Sequence, residues 1–172
     1  YVADVFGKIE QGPVIGDNLA TAIYANSGNG VVHDAAVRDL EGIEELEGFT
    51  SFVRGWDPSY ASPTIMLSGM NCPIRIGHAT CVPGDILLGK REGVLFIPPH
   101  LAEKVVMTSE VVRLRDMFGK LRLNEGTYTP GQIDRRWSDD IEADFSRWLE
   151  DHIDELPVPK EAIQELLKER TW

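Results

Sequence analysis

A mixed α/β fold with a helical C-terminal extension is the class this chain predicts, and three observations carry it. Residues 1–37 run through strand, glycine turn, helix and strand patterns, the order of a βαβ crossover. Residues 64–97 break into short apolar runs separated by glycine and proline, the spacing of a β-rich half. Beyond Gly119 the apolar residues return to helical intervals. The organisation expected is an α/β core over residues 1–120 and a helical extension over residues 121–172.

YVADVF, residues 1–6, reads as a strand already under way, so a preceding segment is expected outside these residues. Residues 7–16 supply turn chemistry, and residues 18–25 a helix with Leu19, Ile23 and Tyr24 on its apolar side and Asp17 as N-cap. Gly28 and Gly30 end it. Val31 and Val32 start a short buried strand that carries His33 and Asp34 toward its far end. Arg38 and Asp39 then fall beyond the carboxyl ends of the strands, where crossover folds hold their ligands. A short acidic helix (residues 40–46), a strand (49–54) and a loop (57–63) follow. Strands are expected over residues 65–67, 74–76, 79–82, 85–88 and 94–97, with turns at Pro83-Gly84-Asp85 and Glu92-Gly93. Pro99 suits the first position of a helix over residues 100–118. After a turn-rich stretch (121–134), residues 138–156 place Ile141, Phe145, Trp148, Leu149, Ile153 and Leu156 on one helical face. A last helix follows Pro159, with Ala162, Ile163, Leu166 and Leu167.

Charge narrows the possible functions. With 17 Lys and Arg against 28 Asp and Glu, the net charge of −11 argues against a nucleic-acid footprint, and an anionic ligand must be held by a few local donors or a metal. No apolar run approaches the roughly 20 residues of a membrane span. The start lacks a basic stretch leading into an apolar one, so a cytoplasmic protein is expected. Cys72 and Cys81 show no metal-ligand spacing and lie among apolar residues, which reads as two reduced core thiols.

Two segments could carry chemistry. In GPVIGDNLA, residues 12–20, Gly16 permits close backbone approach and the amides of Asp17, Asn18 and Leu19 are first-turn donors at the positive end of a helix dipole. A carboxylate cradle and a plain glycine turn capped by Asp17 both fit. In GNGVVHDAAVRD, residues 28–39, Arg38 offers a forked contact to a carboxylate or enolate oxygen, and Asp39 a ligand for a hard cation such as Mg²⁺. A surface ion pair fits these two as well. His33 and Asp34 point to opposite faces of a strand, which disfavours a catalytic dyad and makes Asp34 an acceptor turned toward Arg38. His78 and His100 read as packing or surface residues, and Trp137, Trp148 and Trp172 as packing residues. No nucleophile elbow, P-loop, dinucleotide fingerprint or zinc spacing is present.

GDNLA, GNGVVHDAAVRD and VPGDILLGKREGVLFIPP, in that order, resemble the family joining the regulator of ribonuclease activity A to the class II 4-hydroxy-4-methyl-2-oxoglutarate (pyruvate) aldolases. The resemblance spans about residues 2–106. It implies a three-layer ββα sandwich of the swivelling-domain, phosphohistidine-domain-like type, assembled as homotrimers or homohexamers with the site between subunits. It also implies that Gly16, Asp17, Asn18 and Leu19 hold the pyruvyl part of a substrate through the backbone, that Arg38 contacts it, and that Asp39 coordinates Mg²⁺, Mn²⁺ or another divalent cation. The expected activity is metal-dependent carbon–carbon cleavage of a 2-oxo acid through a pyruvate enolate. Retro-aldol cleavage and oxaloacetate decarboxylation both fit, with Arg38, Asp39 and Asp17 as the catalytic set. GDNLA and GNGVVHDAAVRD, the two segments that could carry the chemistry, contain no lysine, which argues against a Schiff base. The alternative is a non-catalytic, ring-shaped regulator that binds a protein partner.

Overall fold

Three parallel strands, β1 (Val2–Ile15), β2 (Val31–Val37) and β3 (Ser51–Trp56), form a sheet in the order β1-β2-β3. The computed structural model describes residues 1–60, 62–155, 161, 164 and 165. Every residue of the central strand is buried, as a Val- and Ala-rich run between two parallel neighbours requires. Helix α1 (Asp17–Ser27) joins β1 to β2, and the short α2 (Leu40–Glu44) lies between β2 and β3. The core of this layer packs Ile15, Ala20, Val31, Val37 and Ile43 with Ile23, Phe49 and Val53.

The turn expected over residues 7–16 is absorbed into β1. Phe6, Gly7 and Gln11 take positive φ of 56°, 74° and 53°. The pairing jumps from Asp4↔Asp34 to Lys8↔Ala35 and then to Pro13↔Ala36. Turn-forming residues here make bulges that push chain out of the ladder without ending the strand. Asp17 is the first helical residue of α1 and not its cap, because Gly16 holds the extended cap conformation at φ −116° and ψ −168°. Gly28 ends α1 as expected, at φ 66°, with its amide donating 2.8 Å to the Tyr24 carbonyl.

Two antiparallel hairpins complete this unit, β4 (Ile74–Ile76) with β5 (Ala79–Cys81) and β6 (Ile86–Lys90) with β7 (Gly93–Ile97). The strand expected over residues 65–67 is absent: that stretch has no strand to pair with and no regular structure. Both cysteines are free, but only Cys81 is buried. Cys72 lies on the surface, contrary to the core role expected for it.

Residues 1–99 and 100–172 are the chain's two compact units, so the division expected after residue 120 falls inside a helix. A 3-10 turn at Pro99–Leu101 leads into α3 (Ala102–Asn124), which continues through Gly119 instead of stopping at Phe118. A Cβ at Gly119 would stand 2.8 Å from Ile133 Cγ2, so this glycine serves close packing and not helix termination. Helix α4 (Pro130–Ile133) starts with a Thr129–Gln132 capping box. Helix α5 (Asp139–Glu150) follows Ser138 and ends before a 3-10 turn at Ile153–Glu155. Val111, Leu114, Phe118, Trp137, Phe145 and Trp148 form the aromatic-rich core of the second unit. Leu156, Trp172 and the helix expected on Ala162, Ile163, Leu166 and Leu167 lie outside the described residues.

Candidate functional site

Parallel pairing brings the two segments singled out in the sequence to one edge of the sheet. The β1–β2 ladder closes at Ile15↔Val37, so the chain leaves β1 at Gly16 and β2 at Arg38 side by side. The Arg38 amide donates 3.1 Å to the Ile15 carbonyl and fixes that adjacency. Asp39 then takes a left-handed conformation, φ 57° and ψ 51°, which Asp and Asn tolerate better than other side chains do. This turn sends its carboxylate back over Gly16. A Cβ at Gly16 would overlap Asp39 Oδ2 and stand 3.2 Å from Asp39 Cγ and 3.3 Å from Arg38 Cγ. Glycine is therefore required here by close approach, since its own φ is one that any residue adopts.

Arg38 Nη1 lies 3.5 Å from Asp39 Oδ2, with 38% and 39% of the two side chains exposed. The pair is loose and open to solvent, and it leaves most of the guanidinium fork available for a ligand. The Tyr60 ring flanks Arg38, its centroid 6.0 Å from Cζ.

Asp17 is held more tightly. Its Oδ1 accepts the Asn18 amide at 2.7 Å, and its side chain packs where a Cβ on Gly42 of α2 would lie 2.7 Å away. One of the three helix-start amides expected to face a ligand is thus already taken. The amides of Asp17 and Leu19 remain as first-turn donors. Gly16, Asp17, Asn18, Leu19 and Arg38 all line a cavity of about 850 Å³; Asp39 is not part of that lining and meets the site through Gly16.

Asp34 does not turn toward Arg38. It accepts Arg54 Nε at 2.5 Å and the Gly77 amide at 3.2 Å, tying β2 to β3 and to the β4–β5 turn. Burial pushes its carboxyl upward, and the Arg54 hydrogen bond, aided by the Gly77 amide, outweighs that and holds it below the usual carboxylate range. Register carried the missed signal: His33 pairs with Val53, which sets Asp34 beside Arg54. His33 is buried with neither ring nitrogen hydrogen-bonded, its ring edge-on to Tyr1. Burial lowers its pKa to about 4, so it is a neutral core residue and forms no dyad with Asp34. His78 and His100 are exposed, and Trp137 and Trp148 pack in the second unit.

Among the described residues no three His, Cys, Asp or Glu side chains gather as a metal-binding group. A single half-exposed carboxylate such as Asp39 does fit a hard cation that keeps most of its coordination for solvent and substrate oxygens. Mg²⁺ behaves that way, and zinc, which wants four protein or near-protein ligands, does not. No described helix is long and apolar enough to cross a membrane.

Comparison with known proteins gives a consistent family signal. A model described as RraA-like, Aldolase/RraA, matches residues 1–96. Protein DlpA of Legionella pneumophila is 31% identical over 134 residues, covering 73% of this chain and 20% of that protein. A Halalkalibacterium halodurans protein named "Putative 4-hydroxy-4-methyl-2-oxoglutarate aldolase" is 33% identical over 81 residues, 47% of this chain and 38% of its own length. An uncharacterized protein of Methanocaldococcus jannaschii is 26% identical over 126 residues, covering 73% and 60%. The chain thus spans only 20% to 60% of the length of these curated relatives. The crystal structure of an uncharacterized Pseudomonas syringae protein superposes with a TM-score of 0.68 at 25% identity, covering 78% of this chain and 66% of that one.

Proposed function

The chain belongs to the Aldolase/RraA family, and from that premise we propose that it is a divalent-metal-dependent lyase cleaving a carbon–carbon bond of a 2-oxo acid. The observation that supports this most is the bare Gly16 backbone set directly against the Asp39 carboxylate and the Arg38 side chain. A plain glycine turn with a surface ion pair needs no such close approach.

In this reading the amides of Asp17 and Leu19 and the Arg38 guanidinium bind the substrate carboxylate and the 2-oxo oxygen. Gly16 and Asn18 complete the backbone wall. Asp39 would hold Mg²⁺ or Mn²⁺, which supplies Lewis-acid charge for the 2-oxo group. In retro-aldol cleavage the 4-hydroxyl loses its proton, the C3–C4 bond breaks, and C4 becomes a carbonyl. The bonding pair moves to C3 and delocalises as an enolate whose oxygen faces Arg38. Protonation at C3 then gives pyruvate. Asp17, held at the helix start, steers the transferred proton. Loss of CO₂ from oxaloacetate places the same electron pair in the same position, so one site serves both reactions.

We extend the proposal to a ββα sandwich of the swivelling-domain type and to a homotrimer or homohexamer. Exposure of Phe6, Trp56, Leu88 and Leu95 on the first unit supports assembly. The test is pyruvate release from 4-hydroxy-4-methyl-2-oxoglutarate and from oxaloacetate with Mg²⁺, before and after Asp39→Asn, which preserves the left-handed turn. Turnover lost only in the variant is the expected result. Equal turnover in both would end the assignment. Absence of turnover in the parent, with no thermal stabilisation by Mg²⁺ plus oxalate, would favour the non-catalytic regulator.

A further inference from the structure

The bulged stretch of β1 carries a mount for the ring that flanks Arg38. Val37 pairs with Trp56, so Arg38 and Asp57 leave the sheet side by side, and the Asp57 amide donates 3.1 Å to the Val37 carbonyl. The Asp57 carboxylate then turns back, and its Oδ1 accepts the Ser59 amide at 3.0 Å, the Ser59 hydroxyl and the Gln11 amide at 3.4 Å. Gln11 stands in the bulge at φ 53°, and its carbonyl accepts the Thr64 hydroxyl at 2.8 Å. The chain is thus tied to Gln11 on both sides of Tyr60, by backbone groups that the bulge has freed from the ladder. Tyr60 itself belongs to neither core and is 68% exposed. It lines the same cavity as Arg38, whose Cζ lies over its ring, 6.0 Å from the centroid.

Arg38 therefore stands between two partners that would use it differently. Asp39 Oδ2, 3.5 Å from Nη1, is near enough to draw the guanidinium into a closed pair. Closure would fill the fork and also neutralise the carboxylate assigned to the cation. An aromatic ring attracts a guanidinium through its quadrupole but offers no oxygen to the fork, so it restrains the side chain and leaves the donors free. We propose that Tyr60 is a positioning residue whose ring holds the Arg38 guanidinium off Asp39 and open to an anionic ligand. The inference rests on the reading that Arg38 and Asp39 serve a 2-oxo acid and its cation. It assigns the effect to the ring and not to the hydroxyl, so another aromatic residue can replace Tyr60 and an aliphatic one cannot.

Calorimetric titration of the full chain with oxalate, Mg²⁺ present, compares the parent with Tyr60→Phe, Tyr60→Trp and Tyr60→Leu. The Phe and Trp variants should bind within about twofold of the parent, and Tyr60→Leu about threefold to tenfold more weakly. The denaturant midpoint should stay put in all three, since the side chain is exposed. For pyruvate release, kcat/KM should follow the same order. Undiminished oxalate binding in Tyr60→Leu, or a loss in Tyr60→Phe as large as in Tyr60→Leu, would overturn the proposal. So would a lowered midpoint in Tyr60→Leu, which would make the ring a packing residue. No oxalate binding by the parent would overturn both the proposal and the reading beneath it. Ring-dependent oxalate binding with no pyruvate released from 4-hydroxy-4-methyl-2-oxoglutarate or oxaloacetate would sink the lyase reading alone.

Discussion

In the helical unit Arg122 donates to both oxygens of Asp144, Nε at 2.7 Å and Nη2 at 2.9 Å, and the Tyr128 hydroxyl donates to the same carboxylate at 3.1 Å. At the carboxyl edge of the parallel sheet Arg38 reaches Asp39 at 3.5 Å with a single nitrogen. The first pair leaves 20% and 15% of its side chains exposed, the second 38% and 39%. Arg115 repeats the closed pattern, forked onto Glu142 at 2.8 and 3.1 Å and stacked 3.7 Å above Trp137. Where the fork is filled and a ring covers it, the guanidinium holds helices together. Where the fork is open beside bare backbone, most of its donors are left unfilled by the protein. The contrast predicts that mutation will cost folding in one region and chemistry in the other.

The largest expected effect tests the closed side. Phe118 is fully buried among Trp137, Phe145 and Trp148. Phe118→Ala should destabilise the second unit by about 3–5 kcal/mol, read as a lower denaturant midpoint by tryptophan fluorescence. An unchanged midpoint would show that this core tolerates a cavity and that the contrast is false.

Asp39→Asn tests the open side. Turnover should fall by about two to three orders of magnitude while the denaturant midpoint stays where it was. Asparagine keeps both the shape and the left-handed preference at φ 57°, so a large loss of stability would mean that Asp39 is structural after all.

His33, at the centre of the sheet, is as buried as the helical core, yet neither of its ring nitrogens is hydrogen-bonded. Its folded pKa is lowered to about 4 from 6.5, so between those values the unfolded chain takes a proton that the native one refuses. The stability it contributes is complete above pH 6.5 and lost as pH falls toward 4, an effect on the order of 3 kcal/mol. Midpoints measured from pH 7 to pH 4 should drop, and His33→Leu should flatten that slope. The Asp34–Arg54 pair weakens only at lower pH, below the ordinary carboxylate range, which separates the two contributions.

How much of this was legible in the chain follows from how local each signal is. GPVIGDNLA and the Val31–Val37 strand announce a crossover, and parallel pairing sets Gly16 beside Arg38 once the bulges of β1 have taken up its extra length. Hairpins β4–β5 and β6–β7 were equally readable, because their turn residues sit between runs too short to be anything else. The element boundaries that differ share a cause: glycine and turn residues have several uses. In β1 they became bulges; at Gly119 the glycine made room for Ile133 inside an unbroken helix. Asp34's true partner, Arg54, depends on the β2–β3 register, which no segment of the sequence contains by itself. The occupied Asn18 amide was unreadable for the same reason, since whether Asp17 caps the helix or begins it turns on the backbone angles of Gly16.

Gly16→Ala makes the smallest change and the most specific test of the contrast. The φ of −116° suits alanine, so the backbone is not strained and the helix start survives. What the added methyl does is displace Asp39 Oδ2 and crowd Arg38 Cγ, groups with open solvent to move into. Stability should therefore shift little, whereas a displacement on the order of 1 Å of a carboxylate and a guanidinium should cost about tenfold to a hundredfold in kcat/KM. Thermal stabilisation by Mg²⁺ plus oxalate should weaken in parallel. A Gly16→Ala variant as active as its parent would mean that the close approach of backbone, carboxylate and guanidinium is packing alone. Gly119→Ala provides the matched control, because the methyl there presses on Ile133 in a closed core and should lower stability without changing kcat/KM.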